Sequence, residues 1–247
     1  MKRTFADLHL CPNLKDSEQV RSMILKASEL GYRLIAVSLP TNPPSERIRQ
    51  IQGICREAEV DFASRIDLKP QTSRELLRSL RRFRRRFEII GVTCESKSVA
   101  RQAAKDRRVD LLSFRSLDFR RRFFDRAEAE LASNALASLE INMKPLLTLD
   151  GPPRIRLLSS LRKEAAIAQD FHVPIVISSG ASNEFLMRTP RELAALAPLF
   201  DLGEASALEA VSRNVVAIVE RNKEKLSSRF VAPGIRVVRR GNNCRRV

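Results

Sequence analysis

The fold of this chain is predicted most clearly from residues 4–39, which read TFADLHLCPNLKDSEQVRSMILKASELGYRLIAVSL. The segments at 4–10 and 33–39 are short and mostly apolar, as expected of buried strands. Between them, residues 17–31 place apolar side chains at helical spacing and end at Gly31, a common helix terminator. The stretch therefore predicts a β-α-β unit, the building block of parallel sheets.

The same alternation of strands and amphipathic helices continues to about residue 180. Seven strands are predicted, at residues 4–10, 33–39, 60–68, 87–94, 109–114, 138–143 and 173–180. Continuous apolar strands are buried on both faces, which indicates a parallel sheet covered by helices. An open, doubly wound sheet would carry a glycine-rich turn after its first strand, whereas residues 8–17 contain no GxG. We therefore predict an α/β fold of the TIM-like barrel type, with an eighth strand that is not evident between residues 197 and 205.

The size and composition of the chain agree with one barrel. It has 247 residues, of which 43% are apolar, and this excludes a disordered protein. We expect residues 1–226 to form a single barrel domain and residues 227–247 a basic tail that adds an edge strand or orders only on binding. No signal peptide or membrane helix is expected at the start. The four cysteines form no CxxC pair, which favours free thiols and a cytoplasmic protein.

Positive charge is concentrated in three segments. The chain has 45 Lys and Arg, 35 of them Arg, against 29 Asp and Glu, for a net charge of +16. Residues 74–86, 101–126 and 229–247 carry +6, +5 and +6, so the rest of the chain sums to −1. Arginine forms bidentate contacts with phosphate. Local concentrations of it therefore predict a surface that binds nucleic acid.

The first of these segments is predicted to be a helix with one apolar face, formed by residues 76, 77, 80, 83 and 87. Its arginines then lie on the opposite face. A merely solvated face is the alternative, but arginines without interleaved glutamates would repel each other there. The predicted RNA-binding residues are Arg78, Arg81, Arg82, Arg85, Arg86, Arg107, Arg108, Arg115, Arg120, Arg121, Arg122, Arg239 and Arg240. Because the chain has no Trp and one Tyr, few rings are expected to stack on bases, and we predict recognition of the backbone and shape of an A-form RNA.

In a barrel, ligand-binding groups come from the carboxyl ends of the strands. The residues at these predicted ends are Asp7, His9, Cys11, Ser38, Arg65, Asp67, Thr93, Glu95, Ser113, Arg115, Glu140, Asn142, Ser178 and Ser179. Asp7 and His9 are two apart on one strand and are expected to point the same way, sharing a metal or a hydrogen bond. Alternatively, His9 is structural and pairs with Asp7 or with another strand-end group.

The chain has too few histidines for a typical catalytic zinc site. The chain has two histidines, and His172 enters its predicted strand from the amino end, away from the ligand-binding end. A carboxylate-only Mg²⁺ site formed by Asp7, Asp67, Glu95 and Glu140 stays open as an alternative. No catalytic residue is predicted.

Six segments, taken in order over residues 3–222, resemble the ribonuclease P protein component 3 family. They are TFADLHLCPN (4–13), LGYRLIAVS (30–38), DLLSF (110–114), LEIN (139–142), VISSGA (176–181) and AVSRNVVAIVERN (210–222). The resemblance implies a barrel similar to the PHP (polymerase and histidinol phosphatase) enzymes, whose DLHxH opening supplies two metal ligands. His9 stands at the first of those positions and Cys11 at the second, and the later histidine motifs have no counterpart. The resemblance thus implies a vestigial site at Asp7, His9 and Asp67, with no metal.

The resemblance also implies a function. The chain would be a protein subunit of ribonuclease P that supports the catalytic RNA in removing 5′ leaders from precursor tRNA, without being catalytic alone. Its implied partners are the catalytic RNA, protein component 2, other protein subunits and, indirectly, precursor tRNA, with no membrane. No cofactor is expected on the chain, while Mg²⁺ is expected for the RNA. Two alternatives stay open: a metal-dependent phosphoesterase of the PHP class, and a protein-interaction scaffold with incidental charge.

Overall fold

The computed structural model describes residues 3–227, 229–232 and 235–237. Seven parallel strands follow one another around a single sheet in chain order. They are β1 (Ala6–Leu10), β2 (Leu34–Ser38), β3 (Asp61–Leu68), β4 (Ile89–Thr93), β5 (Leu111–Ser113), β6 (Ser138–Asn142) and β7 (Ile175–Ser178). The predicted TIM-like α/β barrel with seven strands is confirmed.

Helices cover the outside of this sheet. They are α1 (Ser17–Glu29), α2 (Ser45–Glu57), α3 (Ser73–Phe83), α4 (Lys97–Ala104), α5 (Arg126–Ala135), α6 (Lys144–Thr148), α7 (Gly151–Asp170), α8 (Pro190–Ala195), α9 (Glu204–Ala210) and α10 (Arg213–Leu226). We call the end of the barrel where the strands finish the mouth, and the end where they begin the base. Loops that follow strands therefore lie at the mouth, and loops that follow outer helices lie at the base.

The first and last strands are joined by a few hydrogen bonds instead of a ladder. The backbone N–H of Cys11 donates to the carbonyl of Ala181 at 2.8 Å. The N–H of Ser179 donates to Asp7 Oδ1 at 3.1 Å. The barrel is therefore nearly closed, and its remaining seam is held by contacts just beyond β1 and β7.

Helix α10 closes the base. Its Val215, Ile218 and Val219 pack against the inward-facing side chains of the strands, which include Ala6, Leu8, Leu34, Ala63, Ile89, Leu111 and Val176. Asp110, buried at the start of β5, accepts Asn222 Nδ2 at 2.7 Å and Arg221 Nη2 at 3.2 Å from this helix. It also accepts Arg84 Nη1 at 2.6 Å and the N–H of Ile90 at 2.9 Å. One buried carboxylate thus ties α10 to two barrel strands.

Several predicted boundaries differ from the structure. Within the described residues no eighth barrel strand occurs, since residues 197–205 form a 3-10 turn and the start of α9. The short strands β8 (Phe230–Ala232) and β9 (Ile235–Arg236) pair with each other in a separate antiparallel sheet, so the described part of the tail adds no edge to the barrel. Division of the chain into a barrel at 1–226 and a tail at 227–247 remains a prediction. None of the described helices is long and apolar enough to cross a membrane.

Candidate functional site

The mouth of the barrel is filled by the side chain of Arg65, which is completely buried. Its Nη1 and Nη2 atoms donate to Glu140 Oε1 and Oε2 at 2.6 and 2.8 Å, a bidentate pair. Nη2 also donates to Asp67 Oδ1 at 2.7 Å, and Nη1 donates to the carbonyl of Leu8 at 2.7 Å. The guanidinium group therefore lies between the carboxylates of Glu140 and Asp67 and donates hydrogen bonds to both of them.

The imidazole of His9 completes this group, which we call the mouth cluster: His9, Arg65, Asp67 and Glu140. His9 Nε2 lies 3.4 Å from Asp67 Oδ2, and Nδ1 lies 3.5 Å from Glu140 Oε1. Burial and the charge of Arg65 lower the pKa of His9, but the carboxylates of Glu140 and Asp67 raise it by more. The pKa of His9 is therefore raised from 6.5 to about 9. Burial opposes ionisation of Glu140, yet Arg65 and His9 lower its pKa to about 2. At neutral pH two cations thus balance two carboxylates inside the barrel.

Two glycines make space around the mouth cluster. A Cβ atom at Gly91 would lie 2.9 Å from Asp67 Oδ1 and 3.1 Å from Arg65 Nη2. Gly180 has a φ of +62°, and a Cβ atom there would overlap the amide of Asn142. Larger residues at these two positions would displace the buried side chains.

Asp7 is not part of the mouth cluster, so the prediction that it points the same way as His9 is wrong, although the two residues do share the predicted hydrogen bond, through the backbone N–H of His9. The register of β1 shifts between Asp7 and Leu10. As a result, Asp7 Oδ1 accepts the backbone N–H of His9 at 3.0 Å and that of Ser179 at 3.1 Å, while the His9 ring turns to Asp67. The alternative, a structural His9 paired with another strand-end group, is the arrangement found.

The mouth residues do not fit the metal site of PHP-type barrels. The carboxylates of Asp67 and Glu140 in the mouth cluster both bind the guanidinium of Arg65, which holds the position between them that a cation would need. Glu95, part of the alternative Mg²⁺ site, is exposed, and Asp7 binds backbone N–H groups. Among the described residues no group of three or more His, Cys, Asp or Glu side chains is arranged to hold a metal ion. Metal-dependent phosphoester hydrolysis at this mouth would require Arg65 to leave.

The protonation of His9 predicts a dependence of stability on pH. A folded-state pKa of about 9 against 6.5 in the unfolded chain means that His9 contributes its full stabilisation below pH 6.5 and loses it as the pH rises through 9. The expected loss is about 3 kcal/mol in the free energy of unfolding. Urea unfolding between pH 6 and pH 10 measures it, and NMR titration of the ring assigns it. A His9 ring that titrates below pH 6.5 would contradict the assigned charge.

The arginines of α3 form the clearest exposed basic surface. Leu76, Leu80 and Phe83 of this helix are buried, as predicted, and Leu77 is partly buried. The predicted residues on the other face are all exposed: Arg78, Arg81, Arg82, Arg85 and Arg86. Within the described chain these five form no ion pair with an acid, whereas Arg84 pairs with the buried Asp110. The helix ends at Phe83, so Arg85 and Arg86 lie in the turn that follows it at the base.

The second basic segment is divided by β5 between the two ends of the barrel. Arg107 and Arg108 precede the strand and lie at the base, where Arg108 is bound to Asp106 at 2.6 Å. Arg115, Arg120 and Arg121 follow the strand and lie at the mouth, each exposed. Arg115 Nη2 also reaches to 3.6 Å from Asp67 Oδ1, so it borders the mouth cluster. One continuous segment of sequence therefore supplies two separate surfaces.

The structure contradicts the prediction that Arg122 binds RNA. The Arg122 side chain is 6% exposed and donates to both oxygens of Glu164 at 2.6 Å. A third N–H, on Nη1, donates to the carbonyl of Ser116 at 2.9 Å. Arg122 is thus an internal anchor. Arg239 and Arg240 lie outside the described residues.

At the base, basic groups from different segments come together. Burial lowers the pKa of Lys225, at the end of α10, and the positive charges of Arg221, Arg84 and Arg107 lower it further. Arg84 and Arg221 also donate to the same carboxylate, Asp110, so the α3–β4 turn and the end of α10 lie next to each other on the surface of the base. The sequence did not reveal this surface, because its members are distant along the chain.

Fold and site together define an α/β-barrel protein whose mouth is closed by internal ion pairs and whose unpaired arginines lie on the outside. This combination suits the binding of a polyanion more than catalysis at the mouth. The chain belongs to the RNase P subunit p30 family, whose model matches residues 4–227. The family resemblance inferred from the sequence is thereby confirmed.

A curated relative agrees with this assignment, and two solved structures share the fold. The chain is 31% identical over 217 residues to "Ribonuclease P protein component 3" of Methanosarcina barkeri, covering 87% of this chain and 88% of that protein. A chain in a cryo-EM structure of archaeal ribonuclease P with mature tRNA has a TM-score of 0.82 and 23% identity, covering 96% of this chain and all of that one. A 5-methylcytosine deaminase from Klebsiella pneumoniae shares the fold more distantly, with a TM-score of 0.56 and 13% identity over 85% of this chain and 65% of that one.

Proposed function

We propose that this chain is a protein subunit of ribonuclease P, located in the cytoplasm, that supports the catalytic RNA in removing 5′ leaders from precursor tRNA. Its proposed partners are the catalytic RNA, protein component 2 and other protein subunits, with precursor tRNA contacted only indirectly. The observation that carries the proposal is the set of exposed arginines on α3 and in the turn after it, none of which pairs with an acid in the described part of the chain. Guanidinium groups free of internal acids are available to bind phosphates. The relative named "Ribonuclease P protein component 3" supports the same role.

We further propose that the chain binds no cofactor and that Mg²⁺ serves the RNA of the holoenzyme. Support comes from Arg65, which pairs with both carboxylates of the mouth cluster, Asp67 and Glu140. With those carboxylates ionised and occupied, neither is free to act as a general base or as a metal ligand. The contribution of this chain to cleavage then comes from binding and positioning RNA.

Reconstitution tests the proposed function. The catalytic RNA, protein component 2 and this chain are combined at low Mg²⁺, and leader removal from precursor tRNA is followed with and without the chain. We expect the chain to raise the rate of leader removal and to cleave nothing when the RNA is left out. A rate that is unaffected by the chain would refute the proposal, and cleavage by the chain alone would favour the phosphoesterase.

Charge removal on α3 is expected to weaken RNA binding in a salt-dependent way. The variant replaces Arg81, Arg82, Arg85 and Arg86 with Gln. Each lost phosphate contact reduces the slope of log affinity against log salt by about one, because fewer counterions are released. Fluorescence anisotropy with the catalytic RNA at several salt concentrations measures both the affinity and the slope.

The chain offers a control with the same change in charge. Arg21, Arg126, Arg162 and Arg213 are exposed, but each lies near an acid: Glu57, Asp170, Asp201 and Glu209. Replacing these four with Gln removes four positive charges away from α3 and should leave the slope close to that of the wild type. Equal slopes for the two variants would remove α3 from the RNA interface.

A further inference from the structure

The loop that follows β5 presents an aromatic ring to solvent at the mouth. Phe119 begins a 3-10 turn, Phe119–Arg121, and is 67% exposed. The guanidinium carbon of Arg120 lies 5.7 Å from the centre of its ring, and Arg121 beside it is exposed as well. The ring is one exposed platform for stacking in a chain that has no Trp and one Tyr. Sequence composition counts aromatic residues but does not show which of them stay outside the core.

Internal contacts hold this loop in a fixed conformation. Arg122, directly after the turn, is anchored by its buried pair with Glu164 and by the carbonyl of Ser116. Ser116 Oγ accepts the N–H of Asp118 at 3.1 Å, and Asp118 Oδ1 accepts the N–H of Arg120 at 3.0 Å. A loop whose backbone is held in this way loses little conformational entropy when a partner covers it.

The surroundings of the ring favour an unpaired nucleobase as that partner. The two residues that follow Phe119 are exposed arginines, and the nearby carboxylate of Asp118 is turned to the backbone. An aromatic face flanked by guanidinium groups can stack on a base while the guanidinium groups pair with the adjoining phosphates. A protein partner would instead be expected to cover a wider apolar patch around the ring.

We propose that Phe119, Arg120 and Arg121 form a site that stacks on an unpaired base of RNA and binds its flanking phosphates. The inference rests on the proposed function, since RNA is the partner in both. It adds a second contact of a different kind. The arginines of α3 and of the turn after it bind phosphates whether or not the RNA is paired, whereas Phe119 requires a nucleobase that is outside an RNA double helix. The two contacts lie on different parts of the barrel, because α3 runs to the end of the barrel where the strands begin, and the β5–α5 loop lies at the mouth.

The test compares Phe119→Ala with a matched variant, Phe185→Ala. Phe185 is 81% exposed in the loop after β7, also at the mouth, but it follows Glu184 and has no neighbouring pair of arginines. The probes are a short single strand of oligo(A) containing 2-aminopurine and a fully paired RNA duplex of the same length. We expect Phe119→Ala to weaken binding of the single strand by about ten-fold or more, as for loss of one stacked base. Duplex binding and the Phe185→Ala variant should be unaffected, and Phe119→Trp should retain the affinity.

Three results would overturn the site. They are unchanged binding of the single strand by Phe119→Ala, an equal loss on strand and duplex, and an unchanged 2-aminopurine fluorescence on binding. A variant that loses affinity only for protein component 2 would assign the ring to a protein interface instead. If the wild type binds neither the catalytic RNA nor the probes, the proposed function itself fails. If the α3 variant loses RNA affinity while Phe119→Ala binds like the wild type, only this inference fails.

Discussion

Replacing Arg65 with methionine is expected to lower the free energy of unfolding by about 3–5 kcal/mol. Arg65 is fully buried and supplies the positive charge between Glu140 and Asp67. Removing it leaves two carboxylates and one cation in the mouth cluster, where Glu140 is fully buried, and an uncompensated buried charge is far more costly than the loss of a contact. Because small barrels are stabilised by about 5–15 kcal/mol in total, the variant should unfold at a much lower urea concentration.

A compensated variant separates loss of charge balance from loss of packing. Adding Glu140→Leu to Arg65→Met removes one cation and one carboxylate together, which leaves His9 paired with Asp67. Urea unfolding followed by circular dichroism should place this double variant closer to the wild type than the single one. An Arg65→Met protein as stable as the wild type would contradict the charge assignment of the mouth cluster. A double variant less stable than the single one would do the same.

Replacing Asp110 with alanine is expected to have a similar effect at the opposite end of the barrel. Its side chain is buried and accepts hydrogen bonds from Arg84, the N–H of Ile90, Arg221 and Asn222. Without it, two arginines, the Asn222 amide and the Ile90 N–H lose this acceptor, at an expected cost of about 3–5 kcal/mol. The damage should be greatest in α10, since the partners of Asp110 on that helix hold it under the barrel.

Hydrogen exchange locates this effect, and urea unfolding measures its size. Relative to the wild type, Asp110→Ala should accelerate hydrogen exchange at the amides of α10 more than at those of β2 and β3, which retain their ladders. Glu29→Ala provides the control, because Glu29 forms an exposed pair with Lys26 and its loss should cost at most about 0.5 kcal/mol. If α10 in Asp110→Ala stays as protected as in the wild type, the helix is held by its apolar face alone.

The barrel could be predicted from the sequence because its signals are local. Each strand is a short apolar run, and helix α2 occupies residues 45–57, where its amphipathic pattern begins and ends. The closure of the base by α10 could not be predicted. The helix carries Val215, Ile218 and Val219 on one face like any outer helix, and only tertiary structure shows that this face packs against the inside of the barrel.

The candidate site was predicted less completely, for two physical reasons. Alternation along a strand placed Asp7 with His9, but a shift in the register of β1 separated them. Counting charge along the chain grouped Arg107 with Arg115, although β5 carries them to opposite ends of the barrel, and it could not show that Arg122 is neutralised by Glu164. The signal that pointed to Arg65 was present: an arginine followed two residues later by an aspartate, both on the inward face of a buried strand.

The most direct test is the rate of leader removal in the reconstituted particle at low Mg²⁺. It compares the wild-type chain, the variant lacking the four α3 and turn arginines, and the control lacking four acid-paired arginines. If surface arginines act on RNA while the mouth is chemically inert, the α3 variant should lose most of the stimulation and the control should keep it. Equal stimulation by all three proteins would contradict this conclusion, as would leader removal by the chain without the catalytic RNA.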